Sequence, residues 1–278
     1  MKGLGSDVLA NIIAGVLVGI LAWIAPLLVL LPFVFFKRRR LFQFFGITKE
    51  CPSFIVYLST VFVVPGGSVD FRGTPRTFAG PAVPAAELYI IEPLAKLFSD
   101  RLLNNLPSPI RKWLGDKVHW LFLPISPTFK GSPQERSQVE QGNILTVGSQ
   151  YYNSAGDLYT ETCNPILRMV QDDQGKMVIR VKRGPRAGDI FEQRTGQPDD
   201  LAIVEKLYDN ATNSTVFIAA GLGVVGTMGA VHFLVENWAK LRDDFCTKPF
   251  AVCLRFQNIR TDPNAFRKPL ELSRFQIE

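Results

Sequence analysis

The 278-residue chain is poor in the side chains that build metal and disulfide sites: it has four cysteines, two histidines and four methionines. Cys51, Cys163, Cys246 and Cys253 are scattered, with no CxxC pair, which argues against a disulfide scaffold or a thiolate zinc site and suits reduced, buried thiols. His119 and His232 have no metal-like partner nearby in sequence, so no metal is expected and no cofactor is obligatory. Charge of one sign is concentrated in one place. Removing the four cations of Lys37–Arg40 from the formal net charge of +6 leaves +2, too balanced for a general polyanion surface, so no duplex nucleic acid is expected as partner. Nor is there a recognisable set of nucleophile, base and orienting residue. The enzyme question stays open and leans towards no.

What the chain does have is an apolar run of 25 residues, 12–36, followed at once by Lys37-Arg38-Arg39-Arg40. A spanning helix needs about 20 apolar residues. The basic cluster behind the run, against only Lys2 and Asp7 ahead of it, puts the amino terminus outside and the remainder inside. A signal peptide fits less well, because its apolar stretch is about 7–15 residues long and its charge lies in front. The expected organisation is a transmembrane anchor with a basic stop at 1–40, resting in the lipid bilayer, then a juxtamembrane linker at 41–54 and a cytoplasmic domain at 55–278. Gly15 and Gly19 form a GxxxG pair, extended by Ala22, that permits close helix packing and points to a homo-oligomer. With no ionisable residue between Asp7 and Lys37, a pore would require several subunits.

Beyond the anchor, Phe54 to Ser59 reads as a buried strand continuing toward Val64, and 65–84 as a Gly- and Pro-rich loop. From Ala85 the spacing is helical, with Pro93 starting, ending or kinking it. Ile144 to Gly148 reads as a strand running into Ser149-Gln-Tyr-Tyr-Asn153, followed by helix through Cys163. Pro165 to Val170 and Met177 to Lys182 read as a hairpin across Asp172-Asp173-Gln174-Gly175. Leu201 to Leu207 is a short ordered segment whose last residues have helical character. Thr215 to Ala220 reads as a central strand, Thr227 to Leu241 as the helix packed behind it, and Phe250 to Phe256 as the next strand. Strand, glycine turn, helix, strand is the grammar of a βαβ unit, so the expected fold class is α/β: one transmembrane helix, then a Rossmann-like, mostly parallel sheet with an inserted hairpin. A second membrane span over Thr215–Val235 is the alternative for that stretch.

Gly221-Leu-Gly-Val-Val-Gly226 is a GxGxxG turn between strand and helix, where backbone N–H groups and a helix amino terminus favour an anion. Gly221, Gly223 and Gly226 would supply the close approach, and Thr227 either a phosphate contact or a cap. The acidic residue expected about twenty positions on is met only loosely by Asp243 or Asp244. At the other turn, Gly148, Ser149 and Asn153 suit sugar or phosphate oxygens, and Tyr151 or Tyr152 a stacked base. Ser59 at the end of the first strand and Glu87 at the start of the following helix reach toward the same crevice, with Arg72 and Arg76 bracketing the loop between them. Glu87 and Glu161 are the candidate catalytic carboxylates. The competing readings are tyrosines as core anchors, Asn153 closing an Asx-turn, and Glu87 as a surface carboxylate at a helix start.

The single apolar helix, the basic stop, and the segments ILTVGSQYYN and VFIAAGLGVVGTMGAVHFLVENW together resemble uncharacterised bacterial membrane proteins with nucleotide-binding α/β domains. More distantly, they resemble membrane effectors of nucleotide-signalling anti-phage defence. The resemblance implies an inner-membrane effector whose cytoplasmic domain senses a nucleotide or oligonucleotide, and whose oligomeric membrane part acts as an ion channel or disrupts the bilayer. It also implies a sensing crevice made by Gly148, Ser149, Tyr151, Asn153, Gly221, Gly223 and Thr227. Two rivals are carried forward: a membrane-tethered nucleotide hydrolase or glycosyl-transfer enzyme using Glu87 or Glu161, and a structural or interaction protein docking through Leu41–Phe45 and the Pro-rich segments.

Overall fold

A computed structural model of the chain describes residues 4–63, 80–82, 85–99 and 125–276. Arg72, Arg76, His119 and most of the Gly- and Pro-rich loop lie outside them. The chain divides into two compact units, Met1–Leu41 and Phe42–Glu278. Helix α1 (Leu4–Phe45) makes up the first and contributes its last turn to the second. Within the first unit the side chains at 13–19 are exposed, and nothing stands within 4 Å of the positions a Cβ would take at Gly15 and Gly19.

The single-pass reading, with its inner-membrane location, outside amino terminus and inside domain, is corrected. Among the described residues no helix is long and apolar enough to cross a membrane. The basic cluster does not end the helix: Lys37–Arg40 lie inside an uninterrupted α1 that continues to Phe45. Its last turn is core, with Phe42, Phe44 and Phe45 buried in the second unit.

The second unit follows in the order β1 (Phe54–Leu58), β2 (Val61–Val63), β3 (Gly80–Ala82), α2 (Ala85–Leu88), α3 (Ile91–Phe98), β4 (Thr128–Gly131), β5 (Asn143–Val147) and α4 (Ser154–Thr162). Next come β6 (Leu167–Gln171), β7 (Met177–Val181), β8 (Ile190–Phe191), β9 (Asp200–Asp209), β10 (Ser214–Gly221), α5 (Val224–Phe245), β11 (Phe250–Phe256) and β12 (Pro269–Gln276). Seven strands form the main sheet in the order β12-β11-β9-β10-β5-β1-β4. Its first three pairings are antiparallel and its last three parallel.

The expected Rossmann-like, mostly parallel sheet is therefore corrected as well. β10, α5 and β11 do run strand, helix, strand in one direction, but β9 lies between the two strands and is antiparallel to both. The helical character expected for the last residues of Leu201–Leu207 is corrected too: Glu205 and Lys206 are strand residues. Both are fully buried on a ten-residue strand, one on each face, as strand alternation requires. β2 does not prolong β1; it pairs with β3 in a separate two-stranded sheet. β6 and β7 pair across the Asp172–Gly175 turn, and β8 adds a third strand.

The main sheet is covered on both faces. On one, α3 and α5 pack with the Phe42–Phe45 turn in an aromatic cluster: Phe44 lies 5.2 Å from Phe217 and 6.1 Å from Phe250, and Phe45 lies 5.1 Å from Phe98, centroid to centroid. On the other, α4 and the β6-β7-β8 sheet cover Ile55, Tyr57, Ile144, Ile203, Val216 and Ile218. Glu205 faces this second layer and accepts from the N–H groups of Ile166 and Leu167. Burial pushes its carboxyl up to about 8.

Lys206 faces the aromatic layer. Its Nζ has no hydrogen-bond partner among the described residues and sits 5.1 Å from the Phe44 ring centroid, 5.6 Å from Tyr208 and 5.8 Å from Phe217. Ring faces attract a cation but replace only part of its lost hydration, and burial pulls the amine down to about 8. In the unfolded chain it titrates near 10.4. The folded state thus bears the cost of a charged amine below about pH 8 and is relieved of it as pH rises toward 10. Lys206→Met is expected to raise the unfolding free energy by about 1–3 kcal/mol at neutral pH, with the gain shrinking as pH rises through that window. Denaturant unfolding of both proteins across the window checks this. A variant less stable than wild type at neutral pH contradicts it.

Candidate functional site

The carboxyl ends of β4, β1, β5 and β10 share one edge of the sheet, with Leu58 opposite Gly131, Tyr57 opposite Thr146, and Val147 opposite Ala219. The chain leaves β1 toward α2 and α3 on the aromatic face, where Phe98 packs 5.2 Å from Phe54. It leaves the adjacent, parallel β5 toward α4 on the opposite face, where Ala155 and Tyr159 join Ile55 and Tyr57. Two neighbouring parallel strands followed by helices on opposite faces form a topological switch point at their carboxyl ends. Open α/β sheets bind their ligands at such switch points.

Ser59 ends β1 at this edge. Its N–H donates to Glu87 Oε2 at 2.7 Å and its Oγ donates to the Val147 carbonyl at 3.1 Å. Glu87, from the first turn of α2, is only 6% exposed. Burial drives its carboxyl up to about 7, against the opposing pull of the Ser59 hydrogen bonds. Gly148 has φ +91°, and a Cβ there would land on Ser59 Oγ and 3.1 Å from Glu87 Oε1. A glycine is what lets the β5 turn lie directly against the Ser59–Glu87 pair.

Asn153 closes the turn. Its Oδ1 accepts from the N–H groups of Ala155 and Gly156, both at 3.1 Å, capping α4. Its Nδ2 donates to the carbonyls of Tyr57 at 2.9 Å and Val147 at 2.8 Å. The amide is fully used in clamping the two strand ends together, so its role is to shape the crevice. Ser149 is partly exposed in the turn. Tyr151 is 53% exposed, and beside Glu87 Tyr89 is 71% exposed, with Leu88 exposed as well. Thr60, next to Ser59, donates its N–H to the Tyr152 carbonyl at 3.1 Å. Its Oγ1 is buried without a hydrogen-bond partner among the described residues. A buried orphan hydroxyl costs free energy that a ligand can recover.

The glycine turn lies at the end of β10, the other neighbour of β5, and it has an internal occupant. Gly223 N–H donates to Asp200 Oδ1 at 2.9 Å, and Gly226 N–H donates to Oδ2 at 2.7 Å. The Leu201 N–H adds a third bond at 2.9 Å. Burial pushes the Asp200 carboxyl up to about 6, against the pull of these three donors. Thr227 Oγ1 accepts from Gly221 N–H at 3.1 Å and donates to the Gly223 carbonyl at 3.0 Å, so it fastens the turn to the helix. A Cβ on Gly221 would lie 2.7 Å from the Gly223 carbonyl oxygen and closer still to the Thr227 nitrogen. Asp243 and Asp244 stand at the far end of α5, about 30 Å from the turn at 1.5 Å per residue, and pair with Arg242 and Arg274.

The structure thus brings Ser59, Glu87, Gly148, Ser149, Tyr151 and Asn153 to the carboxyl ends of β1 and β5 and the turns that follow, and gathers Gly221, Gly223, Gly226 and Thr227 around Asp200 beside the adjoining strand. Glu161 joins neither group; it lies in the last turn of α4, paired with Arg168. Among the described residues no group of histidine, cysteine, aspartate or glutamate can hold a metal ion. His232 packs on Phe266 at 4.8 Å, centroid to centroid. Sequence reasoning missed Thr60, whose signal was the polar Ser-Thr pair ending an apolar strand. It also missed Asp200, an acid immediately before the apolar run Leu201–Val204. No protein-family model, curated protein or solved structure matches the chain.

Two outcomes are expected at this edge. Gly148→Ala forces a Cβ into both the Ser59 side chain and a left-handed backbone, so it is expected to cost about 2 kcal/mol or more. Urea unfolding measures this, and a neutral effect would mean that the β5 turn does not press on Ser59. The Glu87 carboxyl, held above its ordinary value of about 4.3, favours the folded state below that pH. That stability is lost as pH rises toward 7, by about 3 kcal/mol at most. The loss is expected in wild type and absent in Glu87→Gln; equal pH slopes in the two proteins contradict it.

Proposed function

We propose that the Phe42–Glu278 unit binds a nucleotide-like small ligand in the crevice between the ends of β1 and β5, and that it works as a ligand sensor. The observation that carries this is the buried Glu87 carboxylate bonded to the Ser59 N–H, next in the chain to Thr60, whose buried hydroxyl has no partner among the described residues, at a switch point of parallel strands. A carboxylate and a hydroxyl are suited to sugar hydroxyls, and the exposed rings of Tyr89 and Tyr151 are suited to stacking on a base. Asn153, Ser59 and Gly148 fix the two strand ends against each other in advance of binding, which lowers the ordering cost.

A second reading, hydrolysis or glycosyl transfer on the same ligand, is favoured by one feature. A buried acid titrating near 7 is matched to proton exchange at neutral pH. Against it, the other candidate carboxylate, Glu161, lies in the last turn of α4, paired with Arg168.

The test is a thermal-shift and calorimetry panel of nucleosides, nucleotides and cyclic or linear oligonucleotides on the purified full chain. At least one compound is expected to stabilise the wild type, by about 2.7 kcal/mol at a hundredfold excess over Kd. Glu87→Gln is expected to weaken that compound about tenfold or more. Silence of the wild type across the panel overturns the proposal, whereas chemical turnover of the bound compound, lost in Glu87→Gln, selects the enzymatic reading.

A further inference from the structure

The glycine turn has the form of a phosphate cradle, yet its own chain fills it. Gly223 and Gly226 aim their N–H groups at the two oxygens of Asp200, one donor to each, in the bidentate manner expected for a bound anion. The fit is close on every side. A Cβ at Gly223 would lie 2.6 Å from Asp200 Oδ2, and one at Gly226 would lie 3.0 Å from the carboxyl carbon. The occupant is also fixed in place. Asp200 is 2% exposed at the start of β9, which pairs antiparallel with β10 so that Ala202 faces Gly221, and the sheet register itself delivers the carboxylate to the start of α5. Its neighbour Asp199 is anchored separately, by Arg255 at 3.4 Å and the Arg194 N–H at 3.1 Å.

A second anion brought to this turn would meet a carboxylate where a phosphate normally meets free amides. At the neighbouring β1/β5 strand ends the buried polar side chains are Ser59, Thr60, Asn153 and one acid, Glu87. The carboxylate suits hydroxyl donors and, when ionised, repels a phosphate. Resting on the ligand reading above, we propose that Asp200 is a specificity-determining residue: it occupies the phosphate cradle permanently, so the crevice selects its ligand by ribose and base and gains nothing from a terminal phosphate seated on the glycine turn. Asp200 is a positioning residue, acting through the turn without touching the ligand.

The experiment compares adenosine, guanosine, cytidine and uridine with their 5′-monophosphates, and with inorganic phosphate alone, on the full-length wild type and on Asp200→Ala. In the wild type a binding nucleoside and its monophosphate are expected to agree within about threefold, and millimolar phosphate is expected to leave the melting temperature unchanged. Asp200→Ala vacates the amides. It is expected to melt lower, to recover several degrees with phosphate, and to bind the monophosphate about tenfold more tightly than the nucleoside. If Asp200→Ala does not fold, Asp200→Asn, which keeps one acceptor oxygen and turns an N–H₂ group toward the other glycine amide, is expected to show the same phosphate-dependent rise at smaller amplitude. A wild type that prefers the monophosphate by about tenfold or more overturns the proposal, as does a vacated turn that ignores phosphate. A wild type silent to every nucleoside and nucleotide, with phosphate still stabilising Asp200→Ala, overturns the ligand reading and leaves only the filled cradle.

Discussion

Backbone amides fasten three buried carboxylates, and each fastening joins elements that the chain order keeps apart. Glu87 ties α2 to the end of β1 through the Ser59 N–H. Asp200 ties β9 to the start of α5 through Gly223 and Gly226. Glu205 ties β9 to the β6 end of the second layer through Ile166 and Leu167. Burial outweighs the donors in every case and raises the acids to about 7, 6 and 8. Burying an acid is costly unless its oxygens are satisfied, so these contacts specify where the elements meet more than they add stability.

Two of the three lie along the same sheet edge and divide the work there. Asp200 completes its amides and closes the glycine turn. Among the described residues Glu87 is held through Ser59, which precedes the orphan Thr60 hydroxyl in the chain, and this is the end of the edge at which a ligand is proposed to bind. The difference comes from strand direction. β9 runs antiparallel to β10 and brings an acid to the turn, whereas β1 and β5 run parallel and send their connections to opposite faces.

Much of this was legible in the sequence where local signals are strong. The strands at 54–58, 143–147, 214–221 and 250–256, the Asp172–Gly175 hairpin turn and the α5 helix all follow from β-branched runs, turn residues and helical spacing. Strand order was not legible, because a βαβ pattern fixes direction and handedness but does not say whether another strand is inserted between the pair. β9 hid behind Glu205-Lys206, and β12 behind its charged, half-exposed pattern. The glycine turn was readable as strand-turn-helix, but its occupant sits 21 residues earlier in the chain and is joined to it only through antiparallel pairing. The basic cluster that reads as the end of an anchor lies within a longer helix, whose final phenylalanines belong to the core.

The decisive premise of the proposed ligand site is the buried Glu87 carboxyl. Site-resolved carbon NMR of that carboxyl in the full chain, titrated with and without a saturating nucleoside, measures it directly. The expected result is a midpoint near 7 in the free protein that moves by about one unit or more when the nucleoside binds. A midpoint in the ordinary carboxylate range of about 4, unmoved by any nucleoside, would contradict both the burial and the role assigned to it.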